Sequence, residues 1–297
     1  MAYSKKSSIA KVFDFVLKIS GQKKKVVQLV KKPYRSKRSF VPKHIKNKFQ
    51  VAVEELNNRI IATLNPEKPS GSKHIIFFHG GGYVFEIMGR HWILIEKLIK
   101  KTNYRLSVLN YPLAPEADYK TTHSWTKEAY NLLIQRFPGD EIILVGDSAG
   151  GGLALAFAQT IGENQNIKTP EKMILLSPWL DMSMSNPEIK GKEEIDYLLS
   201  MEFLDYCTVI YSKGEDPLNK TLSPIYGPLE KLPKTLVFYG SSELFEPDCK
   251  LFQKLSDGVE AQITFKLYEG MQHDWLLFPL PESKHALSEI SEFLKGD

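Results

Sequence analysis

The stretch Glu141-Ile142-Ile143-Leu144-Val145-Gly146-Asp147-Ser148-Ala149-Gly150-Gly151-Gly152-Leu153-Ala154 decides the fold. Its opening is a short apolar run, the pattern of a strand buried on both faces. Its end is a series of small residues that opens a helix predicted to reach about residue 161. Between the two, the chain must turn sharply, and the neighbours of Ser148 must lack bulky side chains for that turn to close. A strand that turns directly into a helix is half of a β-α-β unit, the element of a parallel sheet.

Outward from this stretch the same alternation recurs. Upstream, residues 49–56 and 59–64 flank the turn pair Asn57-Asn58 and read as a β-hairpin. Residues 74–78 are a second apolar run, followed by a helix over 91–101, a strand over 104–109 and a helix over 119–137 that Pro138-Gly139 stops. Downstream, strands at 173–176, 235–239 and 262–268 and helices at 248–256 and 282–294 continue the pattern. The prediction is a mostly parallel α/β sheet with helices on both faces. Residues 182–222 break the alternation: they carry no strand pattern, and Leu198, Leu199, Phe203, Leu204 and Tyr206 suggest helices. The expected organisation is a basic arm with cap helices over 1–48, a core over 49–181 and 223–297, and an inserted helical cap over 182–222.

The chain has 297 residues, 42% hydrophobic and 25% charged, which suits one large globular unit with an appendage and excludes overall disorder. Net charge is only +4, but residues 1–48 hold fifteen Lys or Arg against the single acid Asp14. Ile9, Val12, Phe13, Val16 and Leu17 fall at helical spacing, so residues 7–20 are predicted as an amphipathic helix that Gly21 stops. A short second helix over 26–30 and an irregular basic linker over 33–47 follow. This arm reads as a solvated basic surface, with weak contact to an anionic membrane as the alternative. Nucleic acid is not expected, because zinc-finger spacing and aromatic RNA-binding signatures are both missing. Cys207 and Cys249 lie far apart and match no metal spacing, in keeping with a reducing compartment. Lys11, Asp14 and Lys18 interrupt the apolar N-terminal stretch, so it does not read as a signal peptide. No apolar run is long enough to span a bilayer, and the expected location is cytoplasmic.

Gly146-Asp147-Ser148-Ala149-Gly150 fits G-x-S-x-G in its strand–turn–helix context, which marks Ser148 as a nucleophile poised at a helix N-terminus. His79-Gly80-Gly81-Gly82 follows the strand at 74–78. Its glycines let backbone N–H groups approach a substrate, so Gly80, Gly81 and Ala149 are the expected oxyanion donors. A phosphate-binding loop would want Lys where Tyr83 stands, and His79 itself reads as a brace for the loop. A nucleophile of this kind is followed in chain order by an acid and then a histidine. Only His273 and His285 follow Ser148. His285 falls inside the last predicted helix, whereas His273 lies in the loop after the strand at 262–268, which makes His273 the expected base. For the acid, Glu243, Glu246 and Asp248 compete; Glu243 is nearest a strand end and ranks ahead of Asp248. Tyr83, Phe85, Trp179, Tyr197, Phe203 and Tyr206 are candidate pocket walls. Such chemistry needs no metal and no organic cofactor.

With these residues assembled, the chain resembles the hormone-sensitive-lipase-like bacterial esterases of the α/β-hydrolase fold. The resemblance rests on four ordered segments: His79-Gly80-Gly81-Gly82, Asn110-Tyr111-Pro112-Leu113-Ala114-Pro115-Glu116, Gly146-Asp147-Ser148-Ala149-Gly150-Gly151 and Leu176-Ser177-Pro178-Trp179-Leu180-Asp181. Ser223-Pro224 and Leu232-Pro233 also match, and the span is about 73–280. The resemblance implies a carboxylesterase with a helical cap acting on a small-molecule ester of short to medium acyl chain. It supports Ser148, His273, Gly80, Gly81 and Ala149 in the roles above. Two departures stand out. The family's acid is Asp in Asp-Pro-Leu, where this chain has Glu243-Leu244-Phe245, and the family's Tyr-Arg-Leu-Ala-Pro-Glu has Pro112 here in place of Arg, which removes that residue's salt bridge. An amide or formamide hydrolase with the same triad is the neighbouring reading. A non-catalytic ligand-binding protein on the same fold is the reading from another class.

Overall fold

The computed structural model describes residues 5–35, 40–163 and 167–296; the parts of the expected arm and linker at 1–4 and 36–39 lie outside them. Among the described residues the chain runs α1 (Ser8–Ser20), α2 (Gln22–Val30), α3 (Lys43–Lys46), β1 (Gln50–Leu56), β2 (Arg59–Asn65) and β3 (Lys73–Phe78). It continues α4 (Gly89–Thr102), β4 (Arg105–Leu109), α5 (Tyr119–Arg136), β5 (Glu141–Asp147), α6 (Ala149–Glu163) and β6 (Lys172–Leu176). The last part is α7 (Met201–Ser212), β7 (Lys234–Gly240), α8 (Glu246–Ser256), β8 (Ile263–Tyr268) and α9 (Pro281–Lys295).

The strands form one sheet in the order β1-β2-β4-β3-β5-β6-β7-β8. The hairpin β1–β2 and the β2–β4 pair are antiparallel, and every pair from β4 through β3 to β8 is parallel. Asn57 and Asn58 take φ of 49° and 60°, the left-handed pair that closes a two-residue hairpin. The continuous apolar runs have a structural cause. Ile76, Phe78, Ile142 and Leu144 pack into the core on one face, while Ile75, Phe77, Ile143 and Val145 pack into the core on the other. Side chains alternate along a strand, so a strand covered on both faces must be apolar at every position.

Local signals set the helix ends. Ser7 Oγ accepts from Ala10 N–H at the start of α1, Gly21 takes φ 64° at its end, and Asp118 caps α5 through Thr121 N–H. α8 begins at Glu246, two residues before the expected start, because Pro247 suits the first helical turn and Glu246 complements the positive end of the helix. The expected linker at 33–47 contains the single helical turn α3.

Residues 182–222 leave the sheet after β6 and return before β7, and they contain α7 with no strand. Their two ends are tied at the stem: Met182 N–H donates to Ser223 Oγ (2.7 Å), and the Tyr226 hydroxyl donates to Asp181 (2.8 Å). α2 packs against α7, so the N-terminal arm and the insertion meet above the C-terminal ends of the parallel strands.

Candidate active site

Ser148 stands between β5 and α6 with φ 53°, a left-handed conformation that residues with a Cβ rarely adopt. The backbone around it is held from two sides. Its N–H donates to Leu176 O on β6 (2.8 Å), and its carbonyl accepts from Gly152 N–H (3.1 Å) and Trp179 N–H (2.9 Å). α6 can approach the sheet this closely only because residue 150 is glycine: a Cβ there would lie 2.1 Å from Phe78 O. The strained turn lifts the Ser148 hydroxyl off the end of β5 and leaves it at the N-terminus of α6, where partial positive charge favours an anion.

His273, in the loop after β8, lies with Nε2 2.9 Å from Ser148 Oγ and Nδ1 2.9 Å from Glu243 Oε2. Glu243 follows β7, and its other oxygen accepts from Gly240 N–H (2.8 Å). The three side chains therefore come from the C-terminal ends of β5, β7 and β8, and the edge of the Phe245 ring packs against the His273 imidazole (5.0 Å, 88°). They are nearly sealed from solvent, with Ser148 6%, His273 4% and Glu243 0% exposed. The competing acids lie elsewhere. Glu246 pairs with Lys192 (3.0 Å) and Lys250 (2.6 Å), and Asp248 accepts from Asn186 Nδ2 (2.9 Å). Burial pushes the Asp248 carboxyl up to about 7, with the charge of Asp181 adding to the effect and the Asn186 hydrogen bond opposing it. His285, on α9, meets the Tyr268 hydroxyl (2.7 Å) and not Ser148.

Sequence reasoning missed Asp274. It takes φ 51° and turns its Oδ2 to within 3.2 Å of His273 Nε2, the same nitrogen that faces Ser148. With Nδ1–H donated to Glu243, a neutral imidazole presents a lone pair at Nε2, which repels a carboxylate unless one of the two holds a proton. Burial disfavours charge on His273, but the carboxylates of Asp274 and Glu243 outweigh it and hold the imidazole well above its usual range. The residue type after a histidine carries no periodic or motif signal, so only the left-handed turn brings this carboxylate to bear.

The glycine loop departs from the expectation at one position. Gly80 N–H donates to Asp147 Oδ2 (3.0 Å), so it is engaged inside the protein and is not free for a substrate oxygen. The fit is tight: a Cβ on Gly80 would lie 2.3 Å from that same carboxylate oxygen. His91 Nε2 reaches the same oxygen (3.0 Å), and because His91 Nδ1 accepts from Met88 N–H, its Nε2 carries the hydrogen. Gly81 and Gly82, by contrast, line the cavity beside Ser148, and among the described residues their N–H groups meet no protein acceptor. Gly82 thus replaces Gly80 beside Gly81 and Ala149 as a donor that a bound oxyanion could reach. His79 stacks on Tyr111 (4.5 Å, 14°), its Nδ1 lies 2.8 Å from Gly80 O, and burial pushes its pKa down to about 3, so it is a neutral brace.

The cavity above Ser148 has a volume of about 190 Å³. Of the six expected walls, Phe85 and Phe203 line it, their rings stacked at 6.1 Å and 5°. The other four do not. Tyr83 is buried face to face on Tyr211 (4.0 Å), and Trp179 is buried against Phe245 (5.7 Å). Tyr206, on α7, packs half-buried against the core, and Tyr197 lies beneath Lys18 (5.9 Å). The walls instead include Val26 and Leu29 of α2, Met88, Leu198, Leu199 and Phe278. Helical spacing identifies the apolar residues of α2, but it does not say that they roof a cavity formed by residues hundreds of positions away. Pro112 stands where the family has an arginine, and the arm brings another guanidinium to this segment: Arg35 donates to Glu116 (2.6 Å), Ala114 O (2.6 Å) and Val84 O.

The alpha/beta hydrolase fold family model matches residues 75–277. An esterase of Acinetobacter venetianus is 32% identical over 228 residues, 75% of each chain. An acetyl-hydrolase of Streptomyces hygroscopicus is 26% identical over 78% of each chain. Among solved structures, EstE7, a hormone-sensitive-lipase homologue from a metagenome library, superposes with a TM-score of 0.82 at 25% identity, covering 96% of this chain and 97% of its own.

Proposed function

We propose the reaction from one premise: this chain belongs to the α/β-hydrolase family, in its hormone-sensitive-lipase-like branch. The protein is a carboxylesterase that cleaves small esters through a covalent acyl-enzyme. The observation that carries this reading is the continuous relay from Ser148 Oγ through His273 to Glu243, each step 2.9 Å, at the floor of an apolar cavity. His273 Nε2 takes the Ser148 proton as Oγ attacks the ester carbonyl, and Glu243 stabilises the imidazolium and holds its orientation. The N–H groups of Gly81, Gly82 and Ala149 receive the oxyanion. His273 then protonates the leaving alcohol, and the same imidazole activates water to release the acid.

A cavity of about 190 Å³ is small beside the ~300–1,000 Å³ typical of drug-sized ligands, which supports short acyl groups. α1, α2 and residues 182–222 act together as the cap that limits this volume. Beside a solvated basic face, the cationic surplus of the arm also supports weak contact with an anionic membrane surface. A cytoplasmic location is supported by the free, buried thiols of Cys207 and Cys249; no helix among the described residues is long and apolar enough to cross a membrane.

The test is hydrolysis of p-nitrophenyl acetate, butyrate and octanoate by wild type and Ser148→Ala. The expected profile peaks at acetate or butyrate and vanishes in the variant. A peak at octanoate would overturn the short-chain reading, and activity retained by Ser148→Ala would overturn the nucleophile.

A further inference from the structure

Helix α1 is apolar on the side where a surface helix should be polar. Its inner side is accounted for: Ala10 is fully buried, and the Phe13 ring lies 4.5 Å from Phe278. Yet Ile9, Val12, Phe15, Val16 and Ile19 are 58%, 63%, 63%, 51% and 66% exposed. At about 100° per residue these five fall within an arc of roughly 120°, one continuous stripe facing away from the protein. Large apolar residues scattered singly over a surface need no explanation, but a continuous stripe marks a contact.

Charge identifies the occupant. Lys11 and Lys18 are exposed along one edge of the stripe, and Lys24 and Lys25 are exposed on α2, which follows after one glycine. The only acid of the arm, Asp14, is already paired with Lys6. A second copy of this chain docking through the same stripe would bring two strongly cationic arms together. A nucleic acid would satisfy the lysines and leave five apolar side chains in water. An anionic lipid surface satisfies both, with the apolar stripe below the headgroups and the lysines among them. At 13 residues α1 cannot span a bilayer, so it lies in the interface.

We propose that the outer stripe of α1 docks the protein on an anionic lipid surface and holds the mouth of the active-site cavity beside it. This rests on the anionic-surface reading of the arm and adds the face that inserts and its link to the site. The link is direct. Leu29 of α2 is 58% exposed and also lines the cavity with Val26, and Phe278, on which α1 rests, lines it too. The anchor and the roof of the site are consecutive helices joined only by Gly21, so a docked protein opens its cavity next to the interface. The substrates favoured by this arrangement are esters dissolved in the lipid, and the protein would reach them without their first passing through water.

Flotation on a density gradient tests it, with vesicles of phosphatidylcholine alone and vesicles that also contain phosphatidylglycerol. Wild type and Ser148→Ala are expected to float equally with phosphatidylglycerol vesicles and to stay behind with phosphatidylcholine, so binding is read independently of catalysis. The double variant Phe15→Ser, Ile19→Ser, at two exposed positions, is expected to lower the bound fraction about tenfold. It should leave hydrolysis of p-nitrophenyl butyrate in vesicle-free solution unchanged. Wild type that fails to float overturns both the docking and the anionic-surface reading of the arm. Flotation that the double variant leaves undiminished overturns the apolar docking alone and leaves a purely ionic contact. Light scattering that finds wild type dimeric and the double variant monomeric assigns the stripe to a second copy and overturns the proposal.

Discussion

On the rim of the sheet, Ser148, His273 and Glu243 are 6%, 4% and 0% exposed, and each polar atom of their relay meets a partner. In the arm, α1 leaves Phe15 63% and Ile19 66% exposed, with lysines alongside. The rim is pre-organised: its strained serine, its two loops and its carboxylate are held by β5, β7 and β8, so little reorganisation is left for the reaction itself. The arm is held from its inner side, by Ala10, Val27 and Val30 in the core and by polar ties such as Arg35 to the segment 114–116 and Lys23 Nζ to Glu193 O (2.6 Å), while its outer side meets nothing among the described residues. The difference separates chemistry from access. Changes at the rim should alter the rate of the chemical step, and changes in the arm should alter where and how a substrate arrives.

The largest expected effect breaks the rim. Ser148→Ala should lower kcat by a factor of about 10⁵–10⁶ with unchanged thermal stability, measured by p-nitrophenyl butyrate hydrolysis and calorimetry. Glu243→Gln comes next, with an expected loss of about 10³–10⁴ in kcat, because the imidazolium loses its buried counter-charge while its geometry is kept. The same measurement on Asp248→Asn separates the two carboxylates: kcat should stay within about twofold, since Asp248 meets Asn186 and not His273.

Asp248 should reveal itself in stability instead. Its folded pKa of about 7 lies above the usual carboxylate range, so its contribution is fully present below about pH 4 and is lost as pH rises through 7. Asp248→Asn should therefore be about 2–4 kcal/mol more stable than wild type at pH 8 and nearly equal to it at pH 4. Urea titrations at the two pH values read this directly, and an equal difference at both would refute it.

The smallest effect sharpens the rim. The Asp274 carboxylate favours the charged form of the His273 imidazole, and the base must be neutral to act. Asp274→Asn should thus lower the pKa of His273 and move the acidic limb of the kcat/KM profile to lower pH. A limb that stays in place would mean that Asp274 does not act on His273.

Much of the rim was legible because its physics is local. A strand buried on both faces reads as a continuous apolar run, and a strand–turn–helix around Ser148 needs small neighbours. A histidine and an acid that follow successive strand ends are brought to the same edge by parallel topology. What stayed hidden depends on orientation. Nothing in the order of the glycines says that Gly80 N–H meets Asp147, because that carboxylate arrives from 67 positions away. Tyr83 and Trp179 are large aromatics near the site, but their rings turn into the core against Tyr211 and Phe245. The loss of an arginine at Pro112 was visible, whereas the pairing of Arg35 with Glu116 was not, because the arm shows no motif that ties it to residue 116. The helical spacing in α1 was also visible, but not which of its two apolar sides would meet the protein.

If Ser148 is the nucleophile of an ester hydrolase, covalent capture will find it. The protein is treated with a fluorophosphonate, digested, and mapped by mass spectrometry, with and without excess p-nitrophenyl butyrate. One adduct is expected, on Ser148, which the ester protects and which is missing in Ser148→Ala. An adduct on another residue, or hydrolysis of the ester that continues while Ser148 is fully modified, would contradict it.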